Sequence, residues 1–570
     1  VSATVFATQK LGDVKVSLTS KDGLEVLGES TKTVRFDEAG DKTLQFRIKA
    51  GNQGGVGTVS LVASASGSLK ADYTAQIDIR TVSQSLRKTT EYRIDAGANF
   101  EQSFSLPGDD QYQLLMDVTA NQPLNLTSRI NQLIAYPHGC AEQTTSKAFP
   151  QLLLNELADL TAEQQREVED NIKYGINRLT SFQTADGGMS YWPGQRQSHP
   201  WVSAYLLHFL NEAAARGYYV SDEMTRKLKS YVTAQANAWT MKDDANTAAY
   251  QLYVLASMQA AELGAMNRMR EQAAQLSEHA IRLLTAAYAI SGREDIARQL
   301  LTVQPNKEAW SSGWFSSDVA LLLAELGLND KHAEQTAEKL RKEVASDRWL
   351  STSDCSLSLI ALSQYYKKNA VGKGLKFDAQ IDGKNIASVK TQKYAWNCQQ
   401  DLAKKQAKLN VHNTGDAPIY LSVTQQGIAT QSKIEKLSNG LELSLSYTSD
   451  TDRPITPYEL AQSTTFKVSL LVRNTSGRDL EHVAVTHILP AGWEILSKLP
   501  SGNVSYQDQR DDRMLSYIDL LRKGESVNIR MNVSATYAGK YYLPAAQAEV
   551  MYDATISGCT ESSECVVTGK

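Results

Sequence analysis

The chain has 570 residues, 42% hydrophobic and 21% charged, with a formal net charge of −4 at pH 7. That length spans several domains, and the balance is that of a soluble globular protein. The charge gives no reason to expect nucleic acid or an anionic membrane as partner, and no apolar run reaches the length of a bilayer span.

The opening, Val1-Ser2-Ala3-Thr4-Val5, has no charged n-region and no apolar h-region, so it does not read as a signal peptide. It reads as strand sequence from inside a protein. The chain is therefore expected to be a C-terminal piece of a longer one, with any export signal or lipid anchor upstream. Residues 1–82 alternate apolar and polar side chains, as in Val14-Lys15-Val16-Ser17-Leu18 and Thr43-Leu44-Gln45-Phe46-Arg47-Ile48. Glycine-rich turns such as Gly51-Asn52-Gln53-Gly54-Gly55 separate the runs, which predicts a β-sandwich. Residues 83–119 hold two or three more strands, among them Tyr92-Arg93-Ile94 and Gln113-Leu114-Leu115-Met116-Asp117-Val118.

Near Asn121 the period becomes helical and stays so to about residue 368. Short helices joined by short loops are expected there, including 141–158, 163–182, 245–262 and 293–304. This region also holds Tyr136-Pro137-His138-Gly139-Cys140-Ala141-Glu142-Gln143-Thr144-Thr145-Ser146. Pro137 and Gly139 punctuate a turn, and a helix-forming run starts at Ala141. Cys140 thus sits where loop becomes helix. The N–H groups of a first helical turn carry partial positive charge and bias a sulfur toward thiolate. Gln143, three residues on, shares its face. A nucleophilic sulfur beside a carboxamide carbon can expel ammonia and close a β-cysteinyl-γ-glutamyl thioester. A bare C-x-x-Q also fits a buried cysteine near a polar helix residue.

Strand character returns at 369, with Leu375-Lys376-Phe377-Asp378-Ala379-Gln380-Ile381 and Ile419-Tyr420-Leu421-Ser422-Val423. Residues 83–119 and 369–435 are each short for a domain. Together they would make one sandwich with the helical region inserted, which is physically cheap when the insertion's ends are neighbours. Residues 436–570 read as a last β-domain, with strands such as Thr465-Phe466-Lys467-Val468-Ser469-Leu470 and Val527-Asn528-Ile529-Arg530-Met531.

Three sets of residues carry a resemblance. Gly139-Cys140-Ala141-Glu142-Gln143 resembles the G-C-[AGL]-E-Q thioester signature of the α2-macroglobulin and complement family, and the flanking Tyr136-Pro137 and Thr144-Thr145-Ser146 resemble its bacterial branch. Gln183-Thr184-Ala185-Asp186-Gly187-Gly188-Met189-Ser190-Tyr191-Trp192-Pro193 resembles the Q-x-x-D-G-G-aromatic turn of α/α-toroids, with Trp310-Ser311-Ser312-Gly313-Trp314 as a degenerate echo; an ordinary aromatic helix–helix turn is the alternative for each. Arg510-Asp511-Asp512-Arg513 and Ala546-Gln547-Ala548-Glu549-Val550-Met551-Tyr552-Asp553 resemble the R-x-D-R and P-x-x-x-V-E-x-M-Y-D elements of the terminal macroglobulin domain in bacterial members.

The resemblance implies a multidomain α plus β fold, with β-sandwich domains and an inserted α/α-toroid thioester domain. The implied order is a macroglobulin-like sandwich at 1–82, the first half of a CUB domain at 83–119, the toroid at 120–368, the second CUB half at 369–435 and a receptor-binding-like macroglobulin domain at 436–570. It implies a broad-spectrum protease inhibitor that acts once, not an enzyme that turns over. Cleavage of a bait region upstream would uncover the thioester. A protease lysine would attack the Gln143 acyl carbon, Cys140 would leave, and an isopeptide bond would hold the protease. The implied partners are target proteases and, by family analogy, a peptidoglycan-synthesis protein. No cofactor, metal or nucleic acid is implied, and the chain is expected to be monomeric. The expected location is the periplasm, with an N-terminal lipid in the inner membrane.

A thioester survives only where nucleophiles are excluded. The candidate covers are Tyr136 in the motif and, from the terminal domain, Met551 with Tyr552 or Tyr542; ordinary core packing is the plain alternative. The remaining cysteines could pair as Cys355–Cys398 and Cys559–Cys565, which would fit an oxidising compartment; four reduced thiols are the alternative. The stretch Trp239 to Thr247 has no histidine, where some relatives use one to pass the acyl group to hydroxyls, so amines are the expected nucleophiles.

Other readings compete. A cysteine hydrolase needs a histidine at the sulfur; His138 is too near in the turn, and His199, His208 and His279 lie in no hydrolase motif. Asp243-Asp244-Ala245-Asn246-Thr247-Ala248 faintly echoes the acid motif of toroid cyclases, though paired carboxylates before a helix are more often a cap. A thioester-free adhesive relative would keep the architecture without the chemistry.

Overall fold

The alternation at the start of the chain closes into sheets. The computed structural model describes residues 1–50, 55–66, 69–79, 85–108, 110–120, 126–135, 139–158, 160–309, 314–346, 349–369, 374–428 and 434–569. In its first unit, strand Gly12–Lys21 lies between Thr31–Phe36 and Gly55–Ser64, with Lys70–Ile79 at the edge. Val14, Val16 and Leu18 fall on one face of the pleat and share a core with Phe36, Phe46 and Val59. The turn residues Gly51-Asn52-Gln53-Gly54 lie outside the described residues.

Two four-stranded antiparallel sheets follow, and each draws strands from both flanks of the helical region. In one, Asp110–Thr119 runs between Ala395–Leu402 and Ile419–Ile428, with Ser85–Ile94 beyond, so that Met116 stands between Cys398 and Val423. In the other, Gln406–Asn413 pairs with Asn99–Ser105 and Leu375–Ile381, with Lys384–Thr391 at the edge. Leu114, Met116, Phe377, Leu409 and Val423 fill the space between them.

Among the described residues, six helices close a ring: Ala141–Ala148, Pro200–Ala215, Ala245–Ser257, Glu278–Ile290, Ser317–Gly327 and Thr352–Asn369, each packed on the next and the last on the first. Their partners in the hairpins, among them Ala162–Leu179 and Asp222–Ala238, run outside. The sequence explains the division. Pro200–Ala215 and Ala245–Ser257 are apolar almost all round and have neighbours on every side. Ala162–Leu179 buries one stripe, Val168, Ile172, Ile176 and Leu179, and leaves its other face polar. The inner helices gather their N-terminal ends on one side of the ring. There Thr352 Oγ1 donates to Glu142, Ser353 Oγ to the Trp314 carbonyl and Ser277 Oγ to Asn246. The architecture is an α/α-toroid.

Helix ends differ from the sequence reading where a local breaker intervenes. The helix expected over 141–158 stops at Ala148, and Pro150 opens a 3-10 turn, Pro150–Leu153, followed by Leu154–Leu157. Proline has no N–H to continue the ladder. The helix expected over 293–304 spans only Glu294–Leu300.

The terminal β-domain is built from three sheets. The largest orders Leu437–Asn439, Asp553–Cys559, Gln547–Val550, Leu480–Ile488, Arg513–Leu521 and Tyr506–Gln509. Val483, Val485 and Ile518 point into the domain's own core with Leu470 and Val472. Ala484, Leu515 and Tyr517, with Met551, join the core of the helical ring instead. Successive residues of one strand thus serve two cores, which is why Met514 to Ile518 are buried without a break.

Candidate functional site

The ring meets the terminal domain where its first inner helix begins. Cys140 is the N-cap of Ala141–Ala148, with extended backbone at φ −67° and ψ 171°. Its Sγ accepts from the Gln143 backbone N–H at 3.4 Å, and its own N–H donates to Gln143 Oε1 at 3.4 Å. This is a capping box with sulfur in place of the usual hydroxyl. It fixes the sulfur and the carboxamide on the same turn. Two outside bonds steady the loop: Ala141 N–H donates to the Tyr191 carbonyl at 3.0 Å, and Arg178 Nη2 to the Gly139 carbonyl at 3.1 Å. Cys140 is 0% exposed and Gln143 1%.

The cover comes from both domains. Gln143 Nε2 lies 4.0 Å from Met551 Sδ. Tyr552 Oη meets Tyr191 Oη at 2.5 Å and donates to Glu142 Oε2 at 2.8 Å. His482 stacks on Tyr191 with centroids 5.1 Å apart, and Trp314 stands edge-on to Tyr552 at 5.1 Å. On the other flank Trp192 packs against Tyr506, stacked at 4.9 Å, and against Tyr517 at 3.8 Å. Rings of this size bury much area, and their offset and edge-on contacts are favourable geometries.

Burial also sets the electrostatics. The helix start was expected to bias Cys140 toward thiolate, and the structure overturns that. Desolvation pushes its thiol well above the usual range, Glu142 adds repulsion, and the hydrogen bonds from Gln143, Tyr191 and Glu142 only offset part of this. Glu142 is itself wholly buried, and desolvation raises its carboxyl too. Its oxygens accept from Ser146 at 2.6 Å, Thr352 at 2.9 Å and Tyr552, so the carboxylate is satisfied despite its depth.

The expected cover residues separate. Met551 and Tyr552 lie at the site. Tyr136 lies outside the described residues. Tyr542 stands on Gly539–Leu543, in a three-stranded sheet distinct from the one facing the ring. The two disulfides considered are not formed: Cys355, Cys398, Cys559 and Cys565 are unpaired. Cys355 is interior to a ring helix and Cys398 belongs to a sheet strand, while Cys559 and Cys565 fall on strands of different sheets. Tyr191, Trp192, Trp314, His482 and Tyr517 were not singled out as cover. Tyr191, Trp192 and Trp314 did stand in the quoted turn motifs, where they read as packing.

The rival chemistries find no support in the geometry. His199 Nδ1 accepts from Val202 N–H as a helix cap, His208 bonds Tyr250 Oη at 3.0 Å, and His279 packs edge-on to Phe315. Asp244 caps Ala245–Ser257 through Asn246 and Thr247, and Asp243 accepts from Thr240. Trp310 to Gly313 lie outside the described residues.

Two family models match the chain: the A-macroglobulin TED domain over residues 111–252, and the bacterial alpha-2-macroglobulin MG10 domain over 440–554. An alpha-2-macroglobulin homolog of Yersinia pestis is 23% identical over 96% of this chain and 30% of its own length. Alpha-2-macroglobulin of Escherichia coli strain K12 is 25% identical over 96% of this chain and 36% of its own. The chain thus spans about a third of these curated relatives. A crystal structure of native Escherichia coli alpha-2-macroglobulin from domain MG7 to the C-terminus superposes with a TM-score of 0.82, at 19% identity, over 100% of this chain and 96% of that one. Salmonella alpha-2-macroglobulin reacted with methylamine gives 0.81 at 22% identity, over 100% of this chain and 40% of that one. One family model lies on the helix start that bears Cys140, another on the domain that covers it, and curated relatives run along nearly all of its length: the chain is similar throughout to the C-terminal part of bacterial alpha-2-macroglobulins.

Proposed function

We propose that the chain carries the covalent arm of a protease inhibitor, a thioester between Cys140 and Gln143 that acylates a lysine of the attacking protease. The observation behind this reading is the capping box, which holds sulfur and carboxamide on one buried turn under Met551. Closure joins Sγ to the carboxamide carbon and expels ammonia. In the trapping step the lysine nitrogen bonds to that carbon and the carbon–sulfur bond breaks. The electron pair stays on Sγ, and the proton shed by the amine ends there. The Tyr191 hydroxyl lies beside the sulfur and, released from Tyr552 when the cover lifts, can donate to the departing thiolate.

Burial gives the reaction its gate. A thiolate is a costly leaving group while the terminal domain covers it, and a cheaper one once water and donors arrive. In this reading, protease cleavage of a bait region upstream lifts the cover, and each molecule reacts once. Amines are the preferred nucleophiles, since the stretch Trp239 to Thr247 carries no histidine to pass the acyl group to hydroxyls. The periplasmic, lipid-anchored location and the pairing with a peptidoglycan-synthesis protein rest on family resemblance alone; the free cysteines withdraw the argument from disulfides.

Intact-mass measurement tests the proposal. The protein should weigh one ammonia less than its sequence, and methylamine should add its own mass while releasing one thiol. A full-mass protein whose Cys140 alkylates before any amine is added would refute it.

A further inference from the structure

A cleft of about 850 Å³ runs between the helical ring and the terminal domain, beside the covered site. Its charge is one-sided: Asp243, Asp244, Asp479, Glu481 and Asp553 line it against Arg478 alone, and Arg478 already pairs with Asp553. Its inner wall is aromatic, with Trp201, Trp239, Trp314 and Tyr552. A third feature is independent of both. His482, held in a left-handed backbone conformation at φ 57°, lines the cleft with a buried Nδ1 that has no hydrogen-bond partner. Burial holds its pKa down to about 4, so at neutral pH the ring adds no positive charge to the wall. A neutral imidazole keeps one nitrogen as an acceptor.

Carboxylates at the rim, ring faces within and an uncharged imidazole at the back suit one chemical class. An ammonium group is drawn by the carboxylates, is attracted to the faces of tryptophan and tyrosine, and brings N–H donors. The position of the cleft matters as much as its lining. Tyr552 faces it on one side and on the other meets Tyr191 and Glu142, while His482 stands edge-on to Tyr552 at 5.3 Å. One layer of rings separates the cleft from Cys140 and Gln143.

We propose that this cleft binds organic ammonium ions, the chemical class of methylamine and of a lysine side chain, and that while the terminal domain is docked it delivers small amines to the Gln143 acyl carbon. Delivery rests on the thioester reading; binding does not. The bound ammonium gives its proton to water at the ring wall. The free amine then forms the carbon–nitrogen bond, the carbon–sulfur bond breaks, and Cys140 Sγ takes the electron pair and the second amine proton. Preference for amines over hydroxyls then follows from charge selection in the cleft, without a histidine to relay the acyl group.

Tetramethylammonium cannot acylate and so probes binding alone. Titrated into the full chain at low salt, it should quench tryptophan fluorescence saturably, while neutral tert-butanol should not. The double variant Asp244→Asn, Glu481→Gln keeps every tryptophan and a competent helix cap, and should weaken the binding about tenfold. No saturable binding, or equal binding by the variant, overturns the site. For delivery, thiol release is timed with methylamine, a cation at neutral pH, and with hydroxylamine, which is mostly neutral there. The variant should lower the methylamine-to-hydroxylamine rate ratio about tenfold, and an unchanged ratio overturns delivery. If no nucleophile releases a thiol and no ammonia is missing from the intact mass, the thioester reading fails, while saturable tetramethylammonium binding still upholds the site.

Discussion

Tyr552 of the terminal β-domain donates to Glu142 Oε2 at 2.8 Å, and so ties the two domains together two residues from Cys140. Glu142 is 0% exposed, and a buried carboxyl short of one donor is costly. Lifting the terminal domain removes that donor together with the Met551 and Tyr552 side chains. The bond that satisfies Glu142 and the rings that exclude water therefore come and go together, which couples domain docking to the reactivity of the site.

Tyr552→Phe should separate the bond from the ring. The ring contacts with Trp314 and His482 remain, but Glu142 and Tyr191 lose their hydroxyl partner. Losing a donor to a buried carboxyl costs about 1–3 kcal/mol. If most of that falls on docking, thiol release by methylamine accelerates about tenfold. An unchanged rate would show that the hydroxyl does not hold the cover down.

Met551 carries the packing side of the same cover. Met551→Ala opens a space against Gln143 and should cost about 2–5 kcal/mol, whereas Met551→Leu nearly conserves volume. On the proposed thioester chemistry, the alanine variant should hydrolyse on storage, read as gain of one water in the intact mass, and the leucine variant should not. Equal survival of both would remove Met551 from the shield.

Much of this was open to sequence reading, and the failures share one cause. The ring was legible because its inner helices are apolar all round and its outer ones carry a stripe. Cys140 and Gln143 were legible because their relation is local, one turn of helix. Tyr191, Trp314, His482 and Tyr517 acquire their role from residues far along the chain, and an aromatic in a sequence does not announce what it will face. The thiolate expectation failed likewise: a helix end is local, but the desolvation that outweighs it comes from another domain. Pairing Cys355 with Cys398 was a guess from count, and count does not place two sulfurs side by side.

Free thiols make a direct prediction about redox. Since none of the four remaining cysteines is paired, dithiothreitol should leave the melting temperature unchanged. A disulfide typically contributes about 2–4 kcal/mol, so a marked fall on reduction would restore the bridges that the structure lacks.

The Asp186-Gly187-Gly188 turn should be intolerant at its second glycine. A Cβ on Gly188 would clash with Ser198 Oγ and stand 2.9 Å from the Tyr231 ring. Three residues on, Tyr191 gives its carbonyl to Ala141 N–H, so a displaced turn moves the loop that holds Cys140. Gly188→Ala should cost about 1–3 kcal/mol and speed thiol release by methylamine. A variant with lowered stability but an unaltered rate would confine the turn to a packing role.

Acid should loosen the protein through its histidines. His199, His208, His279, His482 and His487 are all held by burial near a pKa of about 4, against an ordinary 6.5. The unfolded chain therefore takes up protons first as pH falls. The stability contributed by keeping these rings neutral is complete above about 6.5 and is lost between there and about 4, at up to about 3 kcal/mol per ring. Glu142 works the other way: its raised carboxyl means the unfolded chain releases its proton first, so that term lowers stability as pH rises above 4.5. The buried Glu325 and the more exposed Glu91 and Asp519 share its sign. Five rings outweigh two buried carboxyls and two exposed ones. The melting temperature should climb from about pH 5 to about pH 7, and a flat or falling profile would refute this account. His199 and His482 belong to the ring cluster at the domain interface, each against Tyr191 and Trp314. His482→Gln removes one of these titrations at the cover itself. Its methylamine reaction, corrected for the free-amine fraction, should vary less with pH than that of the parent, because less proton uptake then accompanies the lifting of the terminal domain.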